Sequence, residues 1–216
     1  EPCAHYGRTP PCVNIIKKKR IKKVFYSIGD FDPRTKNKSK VFLKKIGIKT
    51  KINLLKKDGY EFYKSYFYQH KKKIPLIDAK IAISKDFFTI HKKKQWITNS
   101  SSRKVGHLLR TNYNCIISTS KTINIDNAVL NCRINGLEKK TPDLIILDRK
   151  LKIKKKLSIF DLKKKRKILI FTTKNDKKKI KWLKRNRVKV ILTEKMQDKT
   201  DYNLIFQKLF SLGYTR

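Results

Sequence analysis

LIILD at residues 144–148, ILIFTT at 168–173 and VKVILT at 188–193 are short apolar runs bounded by polar or charged residues. Their length and their Ile, Val and Phe content are those of buried strands. KVFYSIG at 23–29 is a run of the same kind. Between and beyond them lie helical patterns. SSRKVGHLLRTN, at 101–112, opens on Ser and sets Val105, Leu108 and Leu109 at helical spacing. Tyr202, Ile205, Phe206 and Leu209 form a second stripe, which Gly213 is placed to terminate. Strands alternating with helices predict α/β layers.

A chain of 216 residues makes one large domain or two small ones. Hydrophobic residues are 39% of it and run its whole length, so it reads as folded despite 34% charged residues. YQHKKKIPLIDAKIAIS, at 68–84, passes from a tyrosine-rich helical pattern through a charged run and Pro75 into a strand-like run. A boundary near Lys72 then divides the chain into residues 1–72 and 73–216, with no repeat and no low-complexity linker.

The formal net charge is +41, which raises the question of a nucleic-acid or anionic-membrane partner. The lysines come in short runs throughout, among them 17–19, 71–73, 92–94, 154–156, 163–165 and 177–179. Alanine is confined to Ala4, Ala79, Ala82 and Ala128, a bias of AT-rich codon usage, so the lysines read as drift-derived solvated faces and a nucleic-acid partner is not expected. The rival reading is a basic nucleic-acid-binding module built on stretches such as YEFYKSYFYQHKKK, 60–73. No apolar run approaches the roughly 20 residues that span a bilayer, and no secretory signal is visible, so no membrane partner is expected and the location reads as cytoplasmic. Four cysteines, Cys3, Cys12, Cys115 and Cys132, are too few for a disulfide scaffold and read as cytosolic thiols or metal ligands.

EPCAHYGRTPPC, residues 1–12, places two cysteines nine positions apart, each after a proline. A zinc deaminase takes one His or Cys from one helix and two cysteines from a Pro-Cys segment. A second region runs through AKIAISKDFFTIHKKKQWIT (79–98), RKVGHLLRTNYNCIISTSKTINIDNAVLNCR (103–133) and PDLIILD (142–148). It carries a Lys-x-Ala-x-Ser-x-Asp strand, Trp-Ile-Thr, an Arg-x-x-x-His-x-x-Arg helix and Thr-x-x-x-Asp-x-x-x-Leu-x-x-Arg, in which Lys80, Ser84, Asp86, Thr98, Arg103 and His107 take part. Together these stretches resemble the bifunctional riboflavin-biosynthesis deaminase and reductase family over most of the chain.

The resemblance implies the end of a cytidine-deaminase-like domain followed by a dihydrofolate-reductase-like domain, both three-layered α/β. It implies zinc held by Cys3 and Cys12, with the third ligand and the proton-shuttling Glu in a His-Ala-Glu motif upstream of Glu1, so no catalytic acid or base lies within these residues. It implies NADPH contacted by Ala82, Trp96, Thr122 and Asp126, and a phosphoribosylated pyrimidine contacted by Lys94, Arg110, Leu130 and Arg133. The implied reactions are deamination of the phosphoribosylated diaminopyrimidinone and reduction of the resulting aminouracil to its ribitylamino product, in a homo-oligomer when intact. A Glu-Gly-Gly closing strand would fall beyond Arg216, so residues 1–216 alone are expected to be inactive. Three positions depart from the family pattern: Phe87 stands where Gly is usual, Lys94 replaces a small polar residue, and Arg34 follows Asp32-Pro33 in place of Asn. His107 reads as a packed or solvated histidine outside the site, and Cys115 and Cys132 as buried apolar thiols.

Overall fold

The structure, a computed structural model, describes residues 1–89, 96–162 and 165–216. The chain divides into two compact units, Glu1–Leu76 and Ile77–Arg216. In the first, α1 (Cys12–Lys18), β1 (Lys23–Tyr26), α2 (Lys38–Lys45), β2 (Lys49–Ile52) and α3 (Lys56–Lys72) follow in order. β1 and β2 pair in parallel, Lys23 opposite Lys49. Val13, Leu43 and Ile48 form the core between α1, α2 and the sheet. α3 buries none of its residues; its aromatic side chains gather on Phe31, whose ring lies 5.1 Å from Phe67 and 5.9 Å from Tyr60.

The second unit contains α4 (Ser100–Arg110), β3 (Cys115–Thr119), α5 (Ser120–Asp126), β4 (Asp143–Leu147), β5 (Ile168–Thr172), α6 (Lys177–Arg185), β6 (Val188–Leu192) and α7 (Lys199–Ser211). Its four strands form one parallel sheet in sequence order. Residues 144–147 and 168–171 are apolar at every position because both faces of these strands are covered. Leu144, Ile146, Ile168 and Ile170 face one core with Ile123, Ile159 and Leu183. Ile145, Leu169 and Phe171 face the other, under Ile205, Leu209 and Tyr214. The expected stripe of α7 thus covers the second face, and Gly213, at φ +92°, follows its end. An Asp198–Asp201 capping box starts α7.

The Lys-x-Ala-x-Ser-x-Asp run, expected as a strand, belongs to neither of the two sheets found among the described residues. A strand is held by ladder hydrogen bonds to a neighbour, and among the described residues no neighbouring strand supplies them. Ile81 and Ile83 remain 68% and 46% exposed. The run ends in a turn in which the Phe88 amide donates to Ser84 Oγ at 3.0 Å. Phe87 sits in that turn at φ 64°, the left-handed region that favours glycine, at the position where the family pattern has Gly. No described helix is long and apolar enough to cross a membrane.

Candidate functional site

The Asn127–Arg133 loop between α5 and β4 is held by side chains rather than by sheet pairing. Arg166, only 6% exposed, extends its guanidinium beneath this loop and donates to the carbonyls of Val129 and Leu130, with a longer contact to Pro142 at 3.4 Å. Burial pushes the Arg166 guanidinium down to about 10, which still leaves it charged at neutral pH. Leu130 is thereby fixed at φ 55° and packs on the first core.

From α4, Arg110 donates Nη1 to the Asn131 carbonyl at 2.7 Å. His107, one turn earlier, brings Nδ1 to 3.1 Å from the same carbonyl and 3.1 Å from Arg110 Nη1, while the Arg133 amide donates to it at 3.3 Å. The Arg133 amide finds its acceptor in the tautomer that carries the proton on Nε2, whereas the Nδ1–H tautomer donates to the Asn131 carbonyl; the ring is neutral in both. Burial, and then Arg110 and Arg133, lower the imidazole from its ordinary value against the opposing pull of the Asn131 carbonyl, and the net effect favours the neutral ring. Arg110 is lowered by burial and by Arg133, and neither arginine has an ion-pair partner among the described residues. Two like-charged guanidinium groups held together without a carboxylate form a site that gains energy from an anion, and a fork of N–H donors suits phosphate.

At the C-terminal ends of β3 and β4 a second polar arrangement forms. Asp148, 2% exposed, accepts from Ser120 Oγ at 2.8 Å and from the amides of Lys152 and Ile153 at 2.8 and 2.7 Å. Thr119 caps α5 by accepting from the Thr122 amide. This leaves Thr122 and Asp126, four residues apart and both exposed, on one side of the short helix. Crevices beyond the carboxyl ends of parallel strands are where open α/β sheets bind ligands.

In the first unit, Cys3 and Cys12 come together, the Cys3 thiol donating to Cys12 Sγ at 3.3 Å. That hydrogen bond, followed by one to the Cys3 backbone, lowers the Cys12 thiol from its ordinary value. Tetrahedral zinc bonds of about 2.3 Å place two thiolates roughly 3.8 Å apart, so a small separation lets this pair supply two ligands. No group of three metal-ligating side chains gathers among the described residues. Glu1 fastens the Pro-Cys segment to a neighbouring loop: its carboxylate accepts from the amides of Asp30 and Asn37 at 2.8 and 3.1 Å and from Ser39 Oγ at 2.7 Å. Asp32, in that loop, is held well below the usual carboxylate range by the Arg34 side chain and amide.

The profile of the RibD C-terminal domain matches residues 75–209, most of the chain and nearly all of the second unit. The chain belongs to the RibD C-terminal domain family. The riboflavin biosynthesis protein RibD of Bacillus amyloliquefaciens is 34% identical over 155 residues, 71% of this chain and 42% of that protein. That of Chlamydia pneumoniae is 28% identical over 213 residues, 97% of this chain and 56% of that protein. The chain therefore spans about half the length of the curated relatives it matches. A solved structure from Thermotoga maritima, a diaminohydroxyphosphoribosylaminopyrimidine deaminase/5-amino-6-(5-phosphoribosylamino)uracil reductase, shares the fold. Its TM-score is 0.80 at 24% identity, over 100% of this chain and 58% of that one.

Within the RibD frame, the expected site residues fall into separate places. Arg110, Leu130 and Arg133 belong to one loop-and-helix cluster, and Thr122 and Asp126 to the adjoining α5. Ala82 is half-buried in the unpaired run, and Trp96 is 53% exposed, with the Arg103 guanidinium stacked 4.8 Å from its ring centroid. No described hydrogen bond or ring contact joins these two to the cluster. Lys94 lies outside the described residues. Three contributors escaped the sequence reading. His107 stood in a named motif but was set aside. Arg166 is one basic residue in the KKKRK run at 163–167, and nothing in the sequence separates it from its neighbours. Asn131 contributes through its carbonyl, to which residue identity is no guide.

Proposed function

We propose that the second unit is the reductase half of riboflavin biosynthesis, acting on a phosphoribosylated aminouracil with NADPH as hydride donor. The observation that carries this reading is the pair of neighbouring arginines without a carboxylate partner among the described residues: Arg110, whose guanidinium holds the Asn131 carbonyl, and Arg133, whose amide meets His107 Nδ1. Arg110 and Arg133 grip the substrate's phosphate, while Leu130, fixed from beneath by Arg166, presents an apolar contact beside it. Thr122 and Asp126 offer a hydroxyl and a carboxylate to the sugar hydroxyls of the cofactor, and Ala82, Trp96 and Lys94 complete the two ligand sets by family resemblance. NADPH, when bound, would supply a hydride to the sugar C1, which keeps its bond to nitrogen and becomes the CH2 of the ribitylamino chain, while the C1–ring oxygen bond breaks and the ring oxygen takes a proton to become the C4 hydroxyl. The chain's part is placement: phosphate held at one end leaves the sugar C1 a fixed position relative to the cofactor.

For residues 1–76 the proposal is a contribution to a zinc deaminase. Cys3 and Cys12 are two metal ligands there, and Glu1 ties their loop to the Asp30–Ser39 segment. Metal-polarised water is the chemistry such a site supplies. Titration of the isotope-labelled chain with ribose 5-phosphate tests the phosphate reading. The His107 ring and the side-chain N–H resonances of Arg110 and Arg133 should shift with ribose 5-phosphate and stay unmoved with ribose. Equal responses to the two sugars, or none, would remove the phosphate site.

A further inference from the structure

The lysine runs that look scattered along the sequence are sorted by the fold. Residues 149–189 hold 20 Lys and Arg against two acidic residues, whereas 190–216 hold four against three. These two segments supply most of the cover on opposite faces of the parallel sheet. Leu151, Ile153, Ile159, Phe160 and Leu183 of the first segment point into one core, and Ile205, Leu209 and Tyr214 of the second into the other. Between buried Leu151, Ile153 and Leu157, the intervening Lys152, Lys154, Lys155 and Lys156 are exposed, as are Lys177, Lys178, Lys181, Lys184 and Arg185 on α6.

The two runs adjoin on one surface. Lys179 Nζ donates to the Leu151 carbonyl at 2.6 Å, Lys155 lies 5.7 Å from the Trp182 ring centroid, and Trp182 meets Phe160 edge-on at 5.3 Å. Of the two acidic residues, Asp176 is occupied as the cap of α6, accepting from the Lys179 amide. The ion pairs among the described residues lie elsewhere, in the first unit. Drift in codon usage acts on all segments alike and would not spare the α7 cover while loading the opposite one.

We propose that this lysine layer is a nucleic-acid-binding surface that contacts the phosphate backbone without reading sequence. A membrane fits it less well. Stable adsorption to a bilayer surface needs an apolar anchor, and among the described residues no large hydrophobic side chain between Ile125 and Leu192 is exposed. Stacking is not used either, since the layer's one Trp lies between Phe160 and Lys155.

The test is binding of a 20-nucleotide single-stranded RNA of mixed sequence to the full chain across a salt series, with melting curves to verify folding. The wild type should bind with affinity falling steeply and log-linearly as salt rises. Joint replacement Lys154→Glu, Lys156→Glu, Lys178→Glu and Lys181→Glu should weaken binding at least about tenfold and flatten the salt slope. The same four changed to Arg should retain binding. A control with Lys18, Lys19, Lys49 and Lys51 changed to Glu should lose less than about threefold. Equal losses in both Glu variants would show unlocalised charge and overturn the proposal. So would the absence of RNA binding, or tighter binding to phosphatidylglycerol vesicles that displace the RNA.

Discussion

His107 is partly buried beside the Arg110 guanidinium and the Arg133 amide, and that position sets its protonation. Its folded-state pKa lies below the ordinary 6.5, so the unfolded chain takes up the proton first as pH falls. The stabilising contribution is therefore complete above about pH 6.5 and declines below it. Melting temperatures should fall more between pH 7.5 and 5.5 for the wild type than for His107→Gln, which keeps polar groups there without titrating; parallel curves would contradict the neutral role of His107. Arg166 is a structural counterpart. Its replacement by Ala strands buried carbonyls and opens a void, with an expected loss of about 2–4 kcal/mol in denaturant unfolding. A loss under about 0.5 kcal/mol would mean that the Asn127–Arg133 loop does not depend on it. Phe87 runs the other way. It is 80% exposed at φ 64°, so Phe87→Gly relieves strain without losing burial and should leave stability unchanged or raise it by up to about 1 kcal/mol.

Among the elements, α3 depends on one close approach. A Cβ added at Gly59 would stand 2.0 Å from Ser27 Oγ and 2.9 Å from Ser27 Cβ. Alanine gains about 1 kcal/mol of helix propensity over glycine, but overpacking of this kind costs about 1–3 kcal/mol. Gly59→Ala should thus lower the melting temperature of the first unit, and a rise would show that α3 does not pack as closely on the β1 end. The elements that the sequence disclosed are those whose pattern is set locally: β4 and β5 as largely apolar runs, β6 as an apolar run interrupted by Lys189, and α7 as a stripe ending at Gly213. β3 was not singled out, since Cys115–Thr119 sits inside a motif read for its polar residues and mixes Cys and Ser with two isoleucines. The 77–84 run failed as a strand for a non-local reason, since alternation can describe a strand but cannot supply the neighbour that holds it.

Over the whole molecule, the motifs pointed to the arginines of α4 and of the loop after α5, because arginines at motif spacing are legible in sequence. The supports were not legible: a backbone carbonyl, a neutral imidazole and a buried arginine act through tertiary placement. The charge shows the same limit, since one-dimensional scatter becomes a two-faced sheet only after folding. The central claim is that Arg110 and Arg133 hold the phosphate of a substrate reduced in the second unit. The direct measurement is steady-state reduction of 5-amino-6-(5-phosphoribosylamino)uracil by the protein, with Arg133→Ala and Asp126→Ala compared at varied substrate and NADPH. Arg133→Ala should lower kcat/KM for the aminouracil about tenfold to a hundredfold, the loss of one charge-assisted contact, with the KM for NADPH nearly unchanged, whereas Asp126→Ala should raise the KM for NADPH. Wild-type kinetics for both variants, or identical losses toward both ligands, would contradict the assignment.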